Sequence, residues 1–310
     1  MTDAGYMVLG DWGIRRLRLF LMQGPVIHDQ REGPGIDSLC IPPVDALMAA
    51  LSPWVVHKKL ERIILCGMVG SRNGLLEAPY LHTPVSLGEW TGHLRYVKSH
   101  GLDIAISPGL RGINESCAPD VMRGEETQIF GAIRLEPGLA VGTQLLVLPG
   151  THCKWVHLQD GVVAGFTTHI TGELLDILRN HSTLLRAGGA QDRSERGFAS
   201  GLDRGRRSAS GLTAALFEAR TAQLIEGRTQ GWAADFLSGL LIAYEVREAL
   251  KNAIDIRGVT IVGDPRLTSL YCRALAPYKI GVTELDGNRC AVSGLRLLAT
   301  ASHPDPFQAH

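Results

Sequence analysis

The chain has 310 residues, enough for two domains of ordinary size, and its 31 basic and 31 acidic side chains give a formal net charge of zero. A chain without net positive charge lacks the field that attracts nucleic acid or an anionic membrane, so we expect neither partner. No run of 18 apolar residues occurs, and the amino-terminal MTDAGYMVLG lacks the features of a signal peptide, which favours a cytoplasmic protein.

The signatures of several enzyme classes are absent. The chain contains no G-x-x-x-x-G-K-[ST], G-x-G-x-x-G, H-E-x-x-H or G-x-S-x-G, so a P-loop, a Rossmann dinucleotide site, a zincin and a serine hydrolase are not expected. The cysteines have neither C-x-x-C nor paired Cys/His spacing, which predicts mostly buried thiols. They are Cys40, Cys66, Cys117, Cys153, Cys272 and Cys290.

The first predicted element is a strand–turn–strand unit that recurs later in the chain. VLGDWGIRRLRLFLMQGPVI resembles LVLPGTHCKWVHLQDGVV, with Gly13 matching Gly150 and Gly24 matching Gly161, both pairs 137 residues apart. Each copy predicts three strands joined by glycine turns, and the spacing suits two successive domains. Because such hairpins are common, the match alone leaves chance similarity open.

Strands and helices alternate after each copy, which is the pattern of α/β domains. After the first copy we predict a helix near 42–51 and buried strands at 62–69 and 102–108. After the second copy, Thr171 is predicted to cap a helix with Glu173 in its first turn. The later predicted elements are helices at 211–226, 233–251 and 289–301, and a buried strand that ends at Gly263 and Asp264 before another helix.

The stretch 187–211 is rich in glycine and arginine and has little apolar content. This composition predicts an exposed excursion or a mobile segment beside the substrate. Its arginines indicate a solvated face, with contact to a phosphate or another anion as the alternative. They are Arg193, Arg196, Arg204, Arg206 and Arg207.

An ordered set of short motifs runs from about Leu9 to about Leu297. They are GDWG, GMVGSRNG, APY, ISPGLRG, APDVMRGEETQIFG, LPGTHCKWV, TGEL and VGDPRLTSLY. Together they resemble the 2-dehydro-3-deoxygalactonokinase family of the actin, hexokinase and Hsp70 superfamily. The resemblance implies an α/β fold with two ribonuclease-H-like (actin-like ATPase) domains and a cleft between them. It implies a first domain at 1–112, completed by a helix at 288–302, and a second at 113–287.

Members of this family transfer the γ-phosphoryl group of ATP to the 6-hydroxyl of 2-dehydro-3-deoxy-D-galactonate, in galactonate catabolism. The resemblance therefore implies a carbohydrate kinase with ATP, Mg²⁺ and a sugar acid as its small-molecule partners. Two alternatives stay open: a kinase of a related sugar acid, and a catalytically weak homologue that senses sugar acid or nucleotide. The sequence leaves a homo-oligomer open as well.

The two glycine turns correspond, through the resemblance, to the phosphate-binding turns of the superfamily. Asp11 matches the aspartate that holds Mg²⁺, usually through water; by itself it could equally be a turn aspartate. Gly13 and Gly150 let backbone N–H groups approach phosphate, and Thr151 can add a hydroxyl. In the last domain, Gly263 and Asp264 resemble the adenosine loop, although an aspartate capping the next helix explains them equally well.

The acceptor side is assigned from the segment RGEETQIFGAI, which resembles the catalytic segment of the wider FGGY carbohydrate kinases. On that match Glu125 is the base that accepts the proton of the sugar hydroxyl, with Glu126 as its competitor or as a residue that binds a sugar hydroxyl. The alternative is an acidic pair that stabilises a helix N-terminus. Candidate substrate ligands in loops after predicted strands are Arg72 and Arg111 for the carboxylate, and Ser71 and Asn73 for hydroxyls.

The first turn departs from the family pattern. Ile14, Arg15 and Arg16 stand where hydroxyl side chains usually reach the ATP phosphates, so Arg15 either replaces them with a guanidinium or points to solvent. The loss of two hydrogen bonds of about 1.5 to 3 kcal/mol each would weaken activity without abolishing it. His152 and Cys153, beside the second turn, are expected to pack on opposite faces and not to form a nucleophilic pair.

Overall fold

The computed structural model describes residues 5–185, 192–207, 211–251, 256 and 258–301. Contacts among these residues define two compact units. The first comprises 5–143, 157–166 and 287–301, and the second comprises the remaining described residues. Within the described ranges, every helix is too short or too polar to cross a membrane.

Strands and helices alternate along the chain, and the predicted α/β class is confirmed. The strands are β1 (Tyr6–Trp12), β2 (Arg16–Gln23), β3 (Val26–Pro34), β4 (Leu60–Gly67), β5 (Tyr80–His82), β6 (Arg95–Ser99), β7 (Leu102–Ile106), β8 (Gly109–Ile113), β9 (Pro119–Met122), β10 (Thr143–Leu148), β11 (Cys153–Gln159), β12 (Val162–His169), β13 (Gly258–Gly263) and β14 (Gly281–Asp286). The helices are α1 (Pro43–Val55), α2 (Leu87–Thr91), α3 (Glu125–Leu135), α4 (Thr171–His181), α5 (Glu195–Arg207), α6 (Leu212–Ile225), α7 (Gln230–Leu250), α8 (Pro265–Leu275) and α9 (Gly287–Thr300).

The first unit contains a six-stranded sheet in the order β3-β2-β1-β4-β7-β6. β1 pairs antiparallel with β2 and parallel with β4, and β4 pairs parallel with β7. The central strands are apolar over most of their length because they are covered on both faces, as at residues 8–12 and 63–67. Because β1, β4 and β7 run parallel, their carboxyl ends lie at one edge of this sheet, where α/β proteins commonly bind ligands.

A second sheet repeats this arrangement in the order β12-β11-β10-β13-β14. Counted along the chain, both sheets place their third, second, first and fourth strands side by side, and β13 pairs parallel with both β10 and β14. The matching turns also agree, since Gly24 and Gly161 have φ values of +56° and +76°. The duplication inferred from the glycine spacing is therefore confirmed.

The prediction of an exposed excursion at 187–211 is wrong for most of the residues that the structure describes there, because they form α5. Phe198 is buried, and α5 packs on α7 through glycines. A Cβ on Gly201 would lie 2.0 Å from the carbonyl oxygen of Phe236, and one on Gly239 would lie 2.3 Å from that of Phe198. The prediction failed because it counted apolar side chains. A glycine has no side chain, yet it allows two helix backbones to pack closely and become buried. Residues 187–191 and 208–210 lie outside the described ranges.

The arginines of α5 form ion pairs near the protein surface, as a solvated face requires. Arg204 donates to Glu218 of α6 through both Nε and Nη2, and Arg206 and Arg207 pair with Asp203 one turn earlier. Exposed pairs of this kind contribute little to stability, typically about 0 to 1 kcal/mol.

Two sequence expectations need correction. Thr171 is the first residue of α4 and not its cap, since Ile170 occupies the cap position without a side-chain hydrogen bond. Of the cysteines, Cys40 and Cys117 are exposed, because they lie in loops outside the sheets. Buried thiols occur at Cys66, Cys153 and Cys290.

Candidate active site

Asp11 lies near the carboxyl end of β1, opposite Arg18 on β2. It is 9% exposed, and Arg18 Nη2 donates to its Oδ2. Directly opposed residues of antiparallel strands share a face, so the hairpin itself brings this ion pair together. On the other side, Asp11 is in register with Cys66 of β4. Burial, and then the charge of Asp11, raise the pKa of the Cys66 thiol, which therefore stays protonated.

Two glycines allow the segment before α3 to approach these strand ends. Gly67, the last residue of β4, has φ +89°, and a Cβ there would lie 2.7 Å from the carbonyl oxygen of Trp12 and 3.4 Å from Asp11 Oδ1. Gly124, just before α3, has φ +111°, and its Cβ would lie 3.2 Å from the Cα of Gly67. Any other residue at these positions would be strained, so the glycines hold the start of α3 beside Asp11.

The first turn of α3 carries the acidic pair. Glu125 is half-buried, and its Oε2 accepts the backbone N–H of Arg123 at 3.1 Å. Glu126 is completely buried; its Oε2 accepts the N–H of Gly124 at 2.7 Å, and its Oε1 accepts the hydroxyl of Ser107 at 3.4 Å. Burial, together with the neighbouring charge of Glu125, raises the pKa of Glu126 to about 8.

The predicted sugar-acid ligands lie on two different elements. Ser71, Arg72 and Asn73 follow β4 and a 3₁₀ turn at Met68–Gly70. The Arg72 side chain is 87% exposed and pairs with Glu77 at 3.2 Å. Arg111 is exposed but lies within β8 and not in a loop, because Gly109–Ile113 pairs with both β5 and β9.

The first glycine turn is held by the segment that follows β3. The carbonyl oxygens of Gly13 and Ile14 accept the N–H groups of Ile36 and Asp37, at 3.1 and 3.3 Å. These bonds fix the backbone of the turn, while the side chain of Arg15 is exposed. Hydrogen bonds to its carbonyl groups therefore hold the turn in place, and the exposed Arg15 stands where a hydroxyl side chain was expected.

The second glycine turn is held in a different way, by the start of α4. The carbonyl oxygen of Thr151 accepts the N–H of Glu173 at 3.0 Å, and a Cβ on Gly172 would lie 2.2 Å from the carbonyl oxygen of Gly150. The side chain of His152 is bonded to Glu173 at 2.6 Å. The expectation that His152 is a packing residue is therefore wrong, whereas Cys153 is buried as predicted.

Gly263 and Asp264 lie at the same edge of the second sheet as this turn. A Cβ on Gly263 would contact the ring of Pro149 at 3.5 Å, and Asp264 caps α8 by accepting the N–H of Arg266 at 2.9 Å. The start of α8 borders a cavity of about 250 Å³. Its lining is largely polar and includes Arg179, Arg193, Gln230, Asp235 and Arg266.

Comparison with known proteins identifies the family. The family model for 2-keto-3-deoxy-galactonokinase matches residues 11–298. The chain belongs to this family. Two curated relatives agree: a probable 2-dehydro-3-deoxygalactonokinase of Rhizobium meliloti (strain 1021), 36% identical with 98% of this chain and 100% of the relative covered, and the 2-dehydro-3-deoxygalactonokinase of Escherichia coli (strain K12), 34% identical with 94% and 96% covered.

Solved structures agree with the fold. A crystal structure of a Sinorhizobium meliloti protein that carries the 2-dehydro-3-deoxygalactonokinase name has a TM-score of 0.85 at 33% identity, covering 96% of this chain and 99% of that one. Component A of the (R)-2-hydroxyglutaryl-CoA dehydratase of Acidaminococcus fermentans shares the fold at a TM-score of 0.50 and 14% identity, over 96% and 100% of the chains. The family and the carbohydrate-kinase class inferred from the motifs are confirmed, and the fold is that of the Sinorhizobium meliloti structure.

Several residues that shape the surroundings of Asp11 and Glu126 were not predicted from the sequence. Arg18 neutralises Asp11, Gly67 and Gly124 allow the close approach of α3, and Ser107 donates to Glu126. A signal for Gly67 and Gly124 existed, since both lie inside the motifs GMVGSRNG and RGEET. The roles of Arg18 and Ser107 depend on strand register, which the motifs do not contain.

Proposed function

We propose that the protein transfers the γ-phosphoryl group of ATP to the 6-hydroxyl of 2-dehydro-3-deoxy-D-galactonate. Membership of the 2-keto-3-deoxy-galactonokinase family over residues 11–298 is the observation that carries the proposal. The names of both curated relatives support the same acceptor. Because ATP is the co-substrate, we propose that the enzyme works in the cytoplasm as a step of galactonate catabolism.

Glu125 is the proposed base. Phosphoryl transfer needs a group that orients the attacking hydroxyl and accepts its proton. The carboxylate of Glu125 is half-buried and lies in the first turn of α3, where the positive end of the helix dipole favours a charged carboxylate. Its hydrogen bond from Arg123 N–H keeps the side chain folded back over the start of α3.

Asp11 is the residue that would hold Mg²⁺. Its buried carboxylate has the hard oxygen chemistry that Mg²⁺ prefers, and magnesium in kinases is commonly held by one or two carboxylates, water and substrate phosphates. Arg18 takes one oxygen, which suits a contact through water better than direct coordination. The described residues contain no cluster of three or more His, Cys, Asp or Glu side chains suited to a metal, so the remaining ligands would come from nucleotide and water. Bound there, the ion would neutralise phosphate charge.

The nucleotide is proposed to use both glycine turns and the start of α8. Gly150 and Thr151 would offer backbone N–H groups and a hydroxyl to phosphates. The N–H of Gly13 already donates to the Arg16 carbonyl at 2.9 Å, so Gly13 would contribute only by leaving the turn without a Cβ. Gly263 and Asp264 would border the nucleoside. Arg15, exposed beside the first turn, is proposed to contribute a guanidinium to the phosphates.

A second candidate function is a sensor that binds sugar acid or nucleotide with weak catalysis. The observation that favours it is the first turn, which offers Ile14 and Arg15 where hydroxyls are usual. Isothermal titration calorimetry separates the candidates, because a sensor binds its ligand tightly and releases no ADP.

A coupled ADP-release assay with Mg-ATP and a panel of sugar acids tests the proposal. We expect the highest kcat/KM for 2-dehydro-3-deoxygalactonate, and loss of turnover in Glu125→Gln. Background turnover with every sugar acid, from a protein that is folded by circular dichroism, would refute the kinase activity. A clear preference for another acid would keep the kinase and change its substrate.

A further inference from the structure

The guanidinium of Arg123 is buried and forms no ion pair with the described residues. Arg123 is 8% exposed; its Nε donates to the Tyr80 hydroxyl at 3.2 Å, its Nη2 donates to the carbonyl oxygen of Ala78 at 2.8 Å, and its Cζ lies 4.1 Å from the centre of the Tyr80 ring. These hydrogen-bond partners are all neutral, and no carboxylate of the described residues forms an ion pair with the guanidinium, although its charge does lower the pKa of the buried Glu126. A buried cation is costly unless an anion accompanies it, so this arrangement requires an explanation.

One nitrogen of this guanidinium and one neighbouring hydroxyl lack hydrogen-bond partners. Arg123 Nη1 and Ser71 Oγ are both buried, and neither has a hydrogen bond with the described residues. They belong to neighbouring parts of the fold, since a Cβ on Gly70, the residue before Ser71, would lie 2.8 Å from Nη1. Buried polar atoms without a partner are rare in folded proteins, and a functional role is one explanation for them.

Four motifs meet around Arg123. Ala78 and Tyr80 come from APY, and the Ala78 N–H donates to the Gly70 carbonyl of GMVGSRNG at 2.9 Å. The Pro79 carbonyl accepts the N–H of Gly109, from ISPGLRG, at 2.9 Å. Arg123 itself begins RGEET and is two residues from Glu125. These bonds fix the guanidinium in place before any ligand binds.

We infer that Arg123 and Ser71 bind the carboxylate of the sugar acid, in place of the exposed Arg72 and Arg111. The inference rests on the proposed function. A planar guanidinium with an unused Nη1 offers a carboxylate a charge-assisted hydrogen bond, and the Ser71 hydroxyl offers a second donor. Arg123 is two residues before Glu125 in the chain, so the anion site and the proposed base belong to the same segment at the start of α3.

Calorimetry without nucleotide tests the inference by titrating 2-dehydro-3-deoxygalactonate and its uncharged C1 carboxamide into each protein. The wild type is expected to bind the acid at least tenfold more tightly than the amide. Arg123→Gln should weaken acid binding about 10- to 100-fold and remove this preference, while KM for ATP changes less than threefold. Arg134→Gln, at an exposed arginine in the last turn of α3, is the matched control and should keep the preference.

Ser71→Ala separates binding from folding. Because it deletes a buried hydroxyl without a partner, the melting temperature should stay the same or rise, while acid affinity falls about three- to tenfold. Arg123→Lys, which keeps the charge, should retain part of the preference for the acid over the amide. If Arg123→Gln folds poorly, the acid-over-amide preference of Arg123→Lys still tests the inference.

Distinct results overturn the inference. Equal affinity of the wild type for acid and amide would refute an anion site while leaving kinase activity intact. Loss of the preference in Arg72→Gln or Arg111→Gln, with Ser71→Ala and Arg123→Lys unchanged, would move the site to the exposed arginines. Absence of any acid binding by the folded wild type would refute both the inference and the proposed substrate, whereas binding without turnover would refute the kinase activity alone.

Discussion

Glu126 is expected to make the stability of the protein depend on pH between about pH 4.5 and 8. It is fully buried, and burial together with the charge of Glu125 raises its pKa from 4.5 to about 8. The folded protein therefore holds a proton that the unfolded chain releases near pH 4.5. Stability from this group is fully present below pH 4.5, is lost progressively as pH rises, and is gone above about pH 8.

The size of the effect follows from the shift. Each pKa unit corresponds to about 1.4 kcal/mol, so the whole window amounts to roughly 4 to 5 kcal/mol, of which about 3 kcal/mol falls between pH 5.5 and 7.5. Hydrogen bonds from Gly124 N–H and from the hydroxyls of Ser107 and Thr127 stabilise the ionised form. They oppose the shift, and so does the positive charge of Arg123. Since Glu126 is completely buried, we expect desolvation to exceed them.

Glu126→Gln measures this contribution directly. The amide does not titrate; its oxygen can accept the Gly124 N–H, and its nitrogen can donate to the two hydroxyls, so the hydrogen bonds survive. Urea unfolding of both proteins at pH 5.5, 6.5, 7.5 and 8.5 gives the difference in the free energy of unfolding. We expect the variant to gain about 1.4 kcal/mol relative to the wild type per pH unit up to pH 7.5, and little beyond pH 8.

Parallel pH curves for the two proteins would refute this reasoning, because they would show that Glu126 is already ionised in the folded state and that its three donors outweigh burial. Glu125→Gln is the internal control. It removes the neighbouring charge that contributes to the raised pKa, so it should shift the titration of Glu126 to lower pH while preserving its direction.

Three further outcomes are expected. Glu125→Gln should lower kcat about 10²- to 10⁴-fold with little change in KM for ATP; an unchanged kcat in the coupled assay would exclude it as the base. Gly67→Ala should destabilise the protein by more than about 1 kcal/mol in urea, because φ is +89° and the new Cβ would meet the Trp12 carbonyl oxygen at 2.7 Å; a neutral result would mean that the backbone relaxes there. Tyr271→Phe should cost about 1 to 3 kcal/mol of unfolding free energy, because its hydroxyl donates to the buried carboxylate of Glu245 at 2.9 Å; equal stability would show that this bond contributes nothing net.

Much of the fold was predictable from local patterns. The strand–glycine–strand repeat, with Gly24 and Gly161 at matching turns, predicted the duplication because left-handed backbone conformations favour a residue without a Cβ. The same logic failed for α5. There the glycines serve helix packing and not turns, and the distinction depends on Gly201 meeting the Phe236 carbonyl and Gly239 meeting that of Phe198, across two helices.

The sequence identified the acidic residues Asp11, Glu125 and Glu126, but not their burial or the side chains that contact them. Asp11, Glu125 and Glu126 stand in recognisable motifs, and the chain alone also determined the family and the kinase class. Only the tertiary structure decided that Arg18 neutralises Asp11 and that Glu126 is buried. The same holds for Arg123 and Ser71, whose buried Nη1 and Oγ have no hydrogen-bond partner among the described residues. Charge state and solvent access are set by neighbours brought together through strand register and close backbone approach, and a motif contains neither.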